Sequence, residues 1–86
     1  MYNQIRQVIN EWDPMNIIYD ETDIDEYKFE IRELEKFIKG KDHISKEVLG
    51  SFILVYFNQQ FSDCFRKALE ECITIAERIL DNLYKE

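Results

Sequence analysis

Apolar positions fall three and four apart along most of this chain, a spacing that predicts helices. In MYNQIRQVINEW they are Ile5, Val8, Ile9 and Trp12, with Asn3, Arg6 and Asn10 toward water, so a first helix is predicted over 1–12. It ends at WDP, because the ring of Pro14 drives Asp13 out of the helical region and removes a backbone donor. The same three residues also read as a start, with Asp13 as an N-cap, Pro14 at the first helical position, and Trp12 and Ile17 placed as a hydrophobic staple. WDPMNII is therefore expected to be a corner, with one short turn of helix hung from the Trp ring.

A second helix is predicted from Thr22 or Asp23 to Lys39, where Gly40 ends it. Its stripe is Ile24, Tyr27, Ile31, Leu34 and Ile38, widened by Phe37, and its outer face carries charges at helical spacing such as Glu35 with Lys39. In GKDHISKEVLG the expected cap is Ser45, with Ile44 and Leu49 as a staple and a third helix running to about Gln60. Its middle, SFILVYFNQQF, is apolar at six consecutive positions, where periodicity does not separate a helix from a buried strand. Helix is preferred, because the surrounding signals are helical and a lone strand has no partner. A fourth helix is predicted from Ser62 or Asp63 to Tyr84, with Phe65, Leu69, Cys72, Ala76, Ile79 and Leu83 in its stripe. Ala68, Ile73, Ile75 and Leu80 broaden that face beyond a two-stranded coiled-coil seam, toward a bundle core.

Composition supports the same picture. A chain of 86 residues makes one domain, which buries only about 60% of its unfolded surface and needs an efficient core. The chain is 45% apolar with five Tyr, six Phe and one Trp, enough to close a core without a metal or disulfides. Two Gly and one Pro argue against a many-turned β fold, and 34% charged residues suit helices with solvated outer faces. The expected fold is all-α, a compact small four-helix bundle in a single domain over 1–86. No apolar stretch approaches the roughly 18 residues of a membrane span. The first residues also lack a basic start followed by an apolar run, so a soluble, cytoplasmic protein is expected. Cys64 and Cys72 would lie about 12 Å apart along one helix, too far for a disulfide, and read as free thiols in a reducing compartment.

The net charge of −7 opposes a polyanion, and no basic stripe is interleaved with the aromatics, so nucleic acid is not an expected partner. Basic proteins would be attracted. Residues 1–43 hold eleven acids against six bases, while 44–86 hold seven against five. No Lys or Arg occurs between Arg6 and Lys28, which leaves Glu11, Asp13, Asp20, Glu21, Asp23, Asp25 and Glu26 uncompensated in sequence. Capping explains Asp13, and the dipole of the second helix would favour Asp23, Asp25 and Glu26 by about 0.3–1 kcal/mol each. Glu11, Asp20 and Glu21 remain, beside Trp12, Tyr19 and Tyr27. Charge steers a basic partner and rings supply contact energy, so Glu11, Trp12, Tyr19, Asp20, Glu21, Asp25 and Tyr27 form the candidate protein-binding surface. The alternative is a solvated, capped corner.

The same residues complete no catalytic constellation. An EF-hand loop begun at Asp20 would put Thr22, Ile24 and Ile31 at ligand positions and Asp25 where Gly belongs, leaving at most a weak surface site for Ca²⁺ or Mg²⁺. A di-iron bundle needs Glu-x-x-His motifs, but the single His43 has Gly40 three positions before it. No phosphate-binding loop or nucleophile elbow occurs. The sequence therefore predicts a non-enzymatic protein with no cofactor and no metal. A second expectation is a homo-oligomer, such as a homodimer, through apolar surface of helix three or four around Phe52, Tyr56 and Phe57.

EWDPMNI, the downstream DEY and the closing long helix together resemble the small helical bacterial proteins grouped as domain of unknown function 1871. That resemblance spans nearly the whole chain and implies an all-helical cytoplasmic protein without an assigned activity. A looser similarity links the Asp-Pro corner, followed by an acidic residue and Tyr, to small immunity proteins of bacterial toxin systems. It implies an acidic inhibitor of a basic nuclease. The Tyr-Tyr-Pro turn of the colicin nuclease inhibitors is missing here, so none of their inhibitory residues is carried over.

Overall fold

The computed structural model describes residues 1–20 and 25–84. It contains α1 (Tyr2–Trp12), α2 (Lys28–Lys39), α3 (Lys46–Phe61), a short 3₁₀ turn (Ser62–Cys64) and α4 (Leu69–Leu83). Each helix packs against its neighbours in cyclic order, α1 on α2, α2 on α3, α3 on α4 and α4 back on α1. The result is an all-α four-helix bundle with no strand among the described residues. Its radius of gyration is 12.1 Å, equal to the roughly 12 Å expected of a compact chain of this length.

The predicted stripes supply the core: Ile5, Val8 and Ile9 from α1, Ile31, Leu34 and Ile38 from α2, Leu49, Ile53 and Phe57 from α3, and Cys72, Ile75, Ala76 and Ile79 from α4. Tyr27 and Phe65 join them from outside the helices. Ser45 caps α3 as expected, its hydroxyl accepting the Val48 N–H at 3.2 Å. The six-residue apolar run is helical, and its Phe57 lies wholly in the core rather than on the surface expected to meet a second copy. No helix among the described residues is long and apolar enough to cross a membrane.

Two boundaries depart from the sequence pattern. The helix expected from Thr22 or Asp23 begins at Lys28, after a turn in which the Lys28 N–H bonds to the Asp25 carbonyl at 3.2 Å. The expected Thr22, Asp23 and Ile24 part of it lies outside the described residues. Asp and Thr side chains compete for backbone groups, so an acidic run favours turns over helix interiors. Asp25 and Glu26 accordingly precede the helix, and the acid in its first turn is Glu30.

The helix expected from Ser62 or Asp63 begins only at Leu69. Ser62 takes φ 49°, ending α3, and the chain then runs through extended Phe65 and Ala68. That path drops Phe65 into the core against Phe57 and Trp12, at ring separations of 5.4 and 6.0 Å. Leu69, expected in the stripe, is exposed. Cys64 and Cys72 therefore do not share a helix; both are free thiols, Cys64 exposed and Cys72 buried.

Candidate functional site

Asp13 organises the corner. It ends α1 in the left-handed region, at φ 42° and ψ 63°, with its N–H still bonded to the Ile9 carbonyl at 2.8 Å. Its carboxylate does not cap a new helix. One oxygen accepts the Ile17 N–H at 3.0 Å and the other the Ile18 N–H at 3.1 Å. The expected helical turn is instead a tight turn closed by the Asn16 N–H on the Asp13 carbonyl at 3.0 Å, with Asn16 at φ 55°. Asn tolerates this left-handed geometry better than most residues.

Tyr27 completes the arrangement from across the bundle. Its hydroxyl donates to Asp13 Oδ1 at 2.5 Å and accepts the Met15 N–H at 3.0 Å. The ring is fully buried, against Phe61 at 6.3 Å. Burial, then the hydrogen bond to Asp13, pushes the phenol above its ordinary range, while the Met15 amide pulls the other way. Tyr27 therefore stays protonated and keeps donating. The contact role expected for it is corrected: a fully buried ring does not meet a partner. Asp13 and Tyr27 instead form a clamp that fixes both ends of segment 14–26.

Trp12 and Glu11 are also tied down. The Trp12 ring is half-buried against Phe57 at 5.9 Å, and its Nε1 donates to Glu71 Oε2 at 2.7 Å. Glu11 accepts from Arg78 Nη2 at 2.7 Å. With Asn82 Nδ2 on the Gln4 carbonyl at 2.8 Å, these bonds run down the antiparallel α1 and α4 pair. Glu71 and Arg78 lie 59 and 67 residues from their partners, so no local sequence signal announces them.

The exposed part of the candidate surface is Glu11, in its pair with Arg78, and the acidic segment. Tyr19 is 80% exposed, and Asp20, Asp25 and Glu26 are exposed with it. Glu21 lies outside the described residues. Elsewhere, an open cleft of about 270 Å³ between α1 and α4 is lined by Gln7, Val8, Glu11, Arg78, Asp81 and Asn82. A second, of about 330 Å³, holds Asp42, His43, Ile44, Leu80 and Tyr84. Among the described residues no three His, Cys, Asp or Glu side chains converge as metal ligands. Burial pushes the Cys72 thiol up to about 11, far from a reactive thiolate at neutral pH.

Fold and site together define a small antiparallel helical bundle with one corner pinned by a polar clamp. No protein-family model matches the chain, and no curated protein or solved structure matches it.

Proposed function

We propose that this chain is a non-enzymatic binding module whose acidic segment, residues 19–26, engages a basic protein. The observation that carries this reading is Tyr19, a large aromatic side chain 80% exposed just beyond backbone held by the Asp13–Tyr27 clamp, with Asp20, Asp25 and Glu26 also exposed. An exposed ring on an acidic stretch of chain suits contact with a basic protein: charge steers encounter and the ring supplies contact energy. Tyr27 and the half-buried Trp12 support the surface from behind, while Glu11 is exposed in its pair with Arg78.

A toxin nuclease is the class of basic partner that the likeness to small immunity proteins suggests. The two free thiols favour a reducing cytoplasm as its location. The test is affinity capture from native lysate at low and high salt, using the chain and a variant carrying Asp20→Asn, Glu21→Gln and Asp25→Asn. A stoichiometric basic protein, released by salt and absent from the variant, is the expected result. Capture of the same proteins by both chains removes the acidic segment from the reading.

A further inference from the structure

α3 is apolar on both sides. Its inner face, Leu49, Ile53 and Phe57, is fully buried, yet Val48 and Val55 on the outward side are 48% and 55% exposed. Phe52 and Tyr56 beside them are only half-buried. At helical spacing these four residues form one stripe. The other exposed positions of α3 are polar, Glu47, Ser51, Asn58, Gln59 and Gln60, so these apolar side chains stand uncovered on an otherwise polar outer face.

α2 supplies the rim. Phe37 stacks on Phe52 at 4.1 Å and 13°, and Phe52 lies parallel to Tyr56 at 5.7 Å and 6°. Tyr27 meets Phe61 while Phe37 meets Phe52, so α2 and α3 run antiparallel. Lys41, whose Nζ stands over the Phe37 ring at 4.7 Å, therefore marks the Val48 end of the patch. Glu33, one turn before Phe37, marks the Tyr56 end, where burial first and the Glu33 charge second push the Tyr56 phenol upward. Its present partner is Lys36 at 3.2 Å, in a surface pair worth about 0–1 kcal/mol. The patch thus has an uncharged middle, a cation at one end and an anion at the other.

We infer that two copies of this chain pair through this face, their α3 helices antiparallel about a two-fold axis near Phe52, with Lys41 of each copy opposite Glu33 of the other. A two-fold contact requires a surface complementary to itself, and a cation and an anion at opposite ends of an apolar stripe meet that requirement. The rest of the chain, at −7, repels a second copy, but this patch does not. A strongly basic or acidic partner would find no matching field here. Two helices and about three turns of surface fall at the low end of specific interfaces, below roughly 1,200 Å² in total, so the dimer forms with rising concentration. Salt screens the overall repulsion and leaves apolar contact intact, so the dimer persists at salt that releases a partner of the acidic segment.

The experiment is sedimentation of the full chain from low micromolar to near-millimolar concentration. The expected mass rises from the 10.5 kDa of one chain toward twice that value. Val55→Glu, at a side chain more than half exposed, keeps its helical circular dichroism and stays monomeric, and Val48→Glu does the same. Lys41→Glu weakens the dimer at least ten-fold, and adding Glu33→Lys to the same chain restores it. A wild-type chain monomeric throughout, or a dimer indifferent to both Val substitutions, overturns the inference. A loss in Lys41→Glu that Glu33→Lys does not restore overturns the antiparallel pairing. The variant neutralised at Asp20, Glu21 and Asp25 dimerises like wild type, so this face and the acidic segment fail or stand separately.

Discussion

The Tyr27 hydroxyl is donor and acceptor at once, and Tyr27→Phe removes both bonds while leaving Asp13 and the Met15 N–H without that partner. Stranding part-buried polar groups costs about 1–3 kcal/mol, so the urea midpoint should fall by that equivalent. Asp13→Asn in the same chain should then cost less than it does alone, with a coupling above about 0.5 kcal/mol in a double-mutant cycle. Additive effects would mean that the two residues act independently. Glu30 makes a second residue-scale prediction. It is 6% exposed, and burial raises its carboxyl above the ordinary 4.5 against the pull of its own backbone. Between that value and the raised one the folded chain holds more protons than the unfolded chain, so stability falls as pH rises. The stabilising contribution is complete below pH 4.5 and lost as pH passes the folded value. Glu30→Gln should therefore raise the melting temperature at pH 7 and flatten its dependence on pH. An unchanged profile would place the titration elsewhere.

Between elements, the closest approach is at Gly50. A Cβ there would stand 2.7 Å from both Cα and Cγ1 of Ile73, so α3 meets the backbone of α4 and not merely a mobile side chain. Gly50→Ala gains about 1 kcal/mol of helix propensity but forces the helices apart, and overpacking of this kind costs about 1–3 kcal/mol. A lower urea midpoint with an unchanged slope is expected; a higher midpoint would show that α4 yields freely. Gly50 was invisible as a packing residue in the sequence, where it reads as a weak position in a helix. The stripes of α1 and α3 and the Ser45 cap were legible because period and cap chemistry are local. The starts of α2 and α4 were not. Asp25 and Glu26 looked like first-turn acids, and Ser62 carries no Gly or Pro signal, yet its positive-φ backbone lets Phe65 reach Trp12 and Phe57.

Across the whole molecule, the corner was visible in sequence but its division of labour was not. Trp12, Glu11 and Tyr27 are conspicuous because aromatic rings and acids cluster there, and the tertiary fold spends each of them on Glu71, Arg78 and Asp13. Tyr19, Asp20, Asp25 and Glu26 are exposed outside the core, and Glu11 is exposed while paired with Arg78. In the function we propose, the acidic segment steers a basic partner. The most direct test is the association rate of the captured basic protein across ionic strength, with wild type and the Asp20→Asn, Glu21→Gln, Asp25→Asn variant. Steering of this kind raises on-rates by about ten-fold or more at low salt. Wild type should bind fast at low salt and slow down as salt rises, while the variant binds slowly with little salt dependence. An on-rate unchanged by the three substitutions would contradict the account.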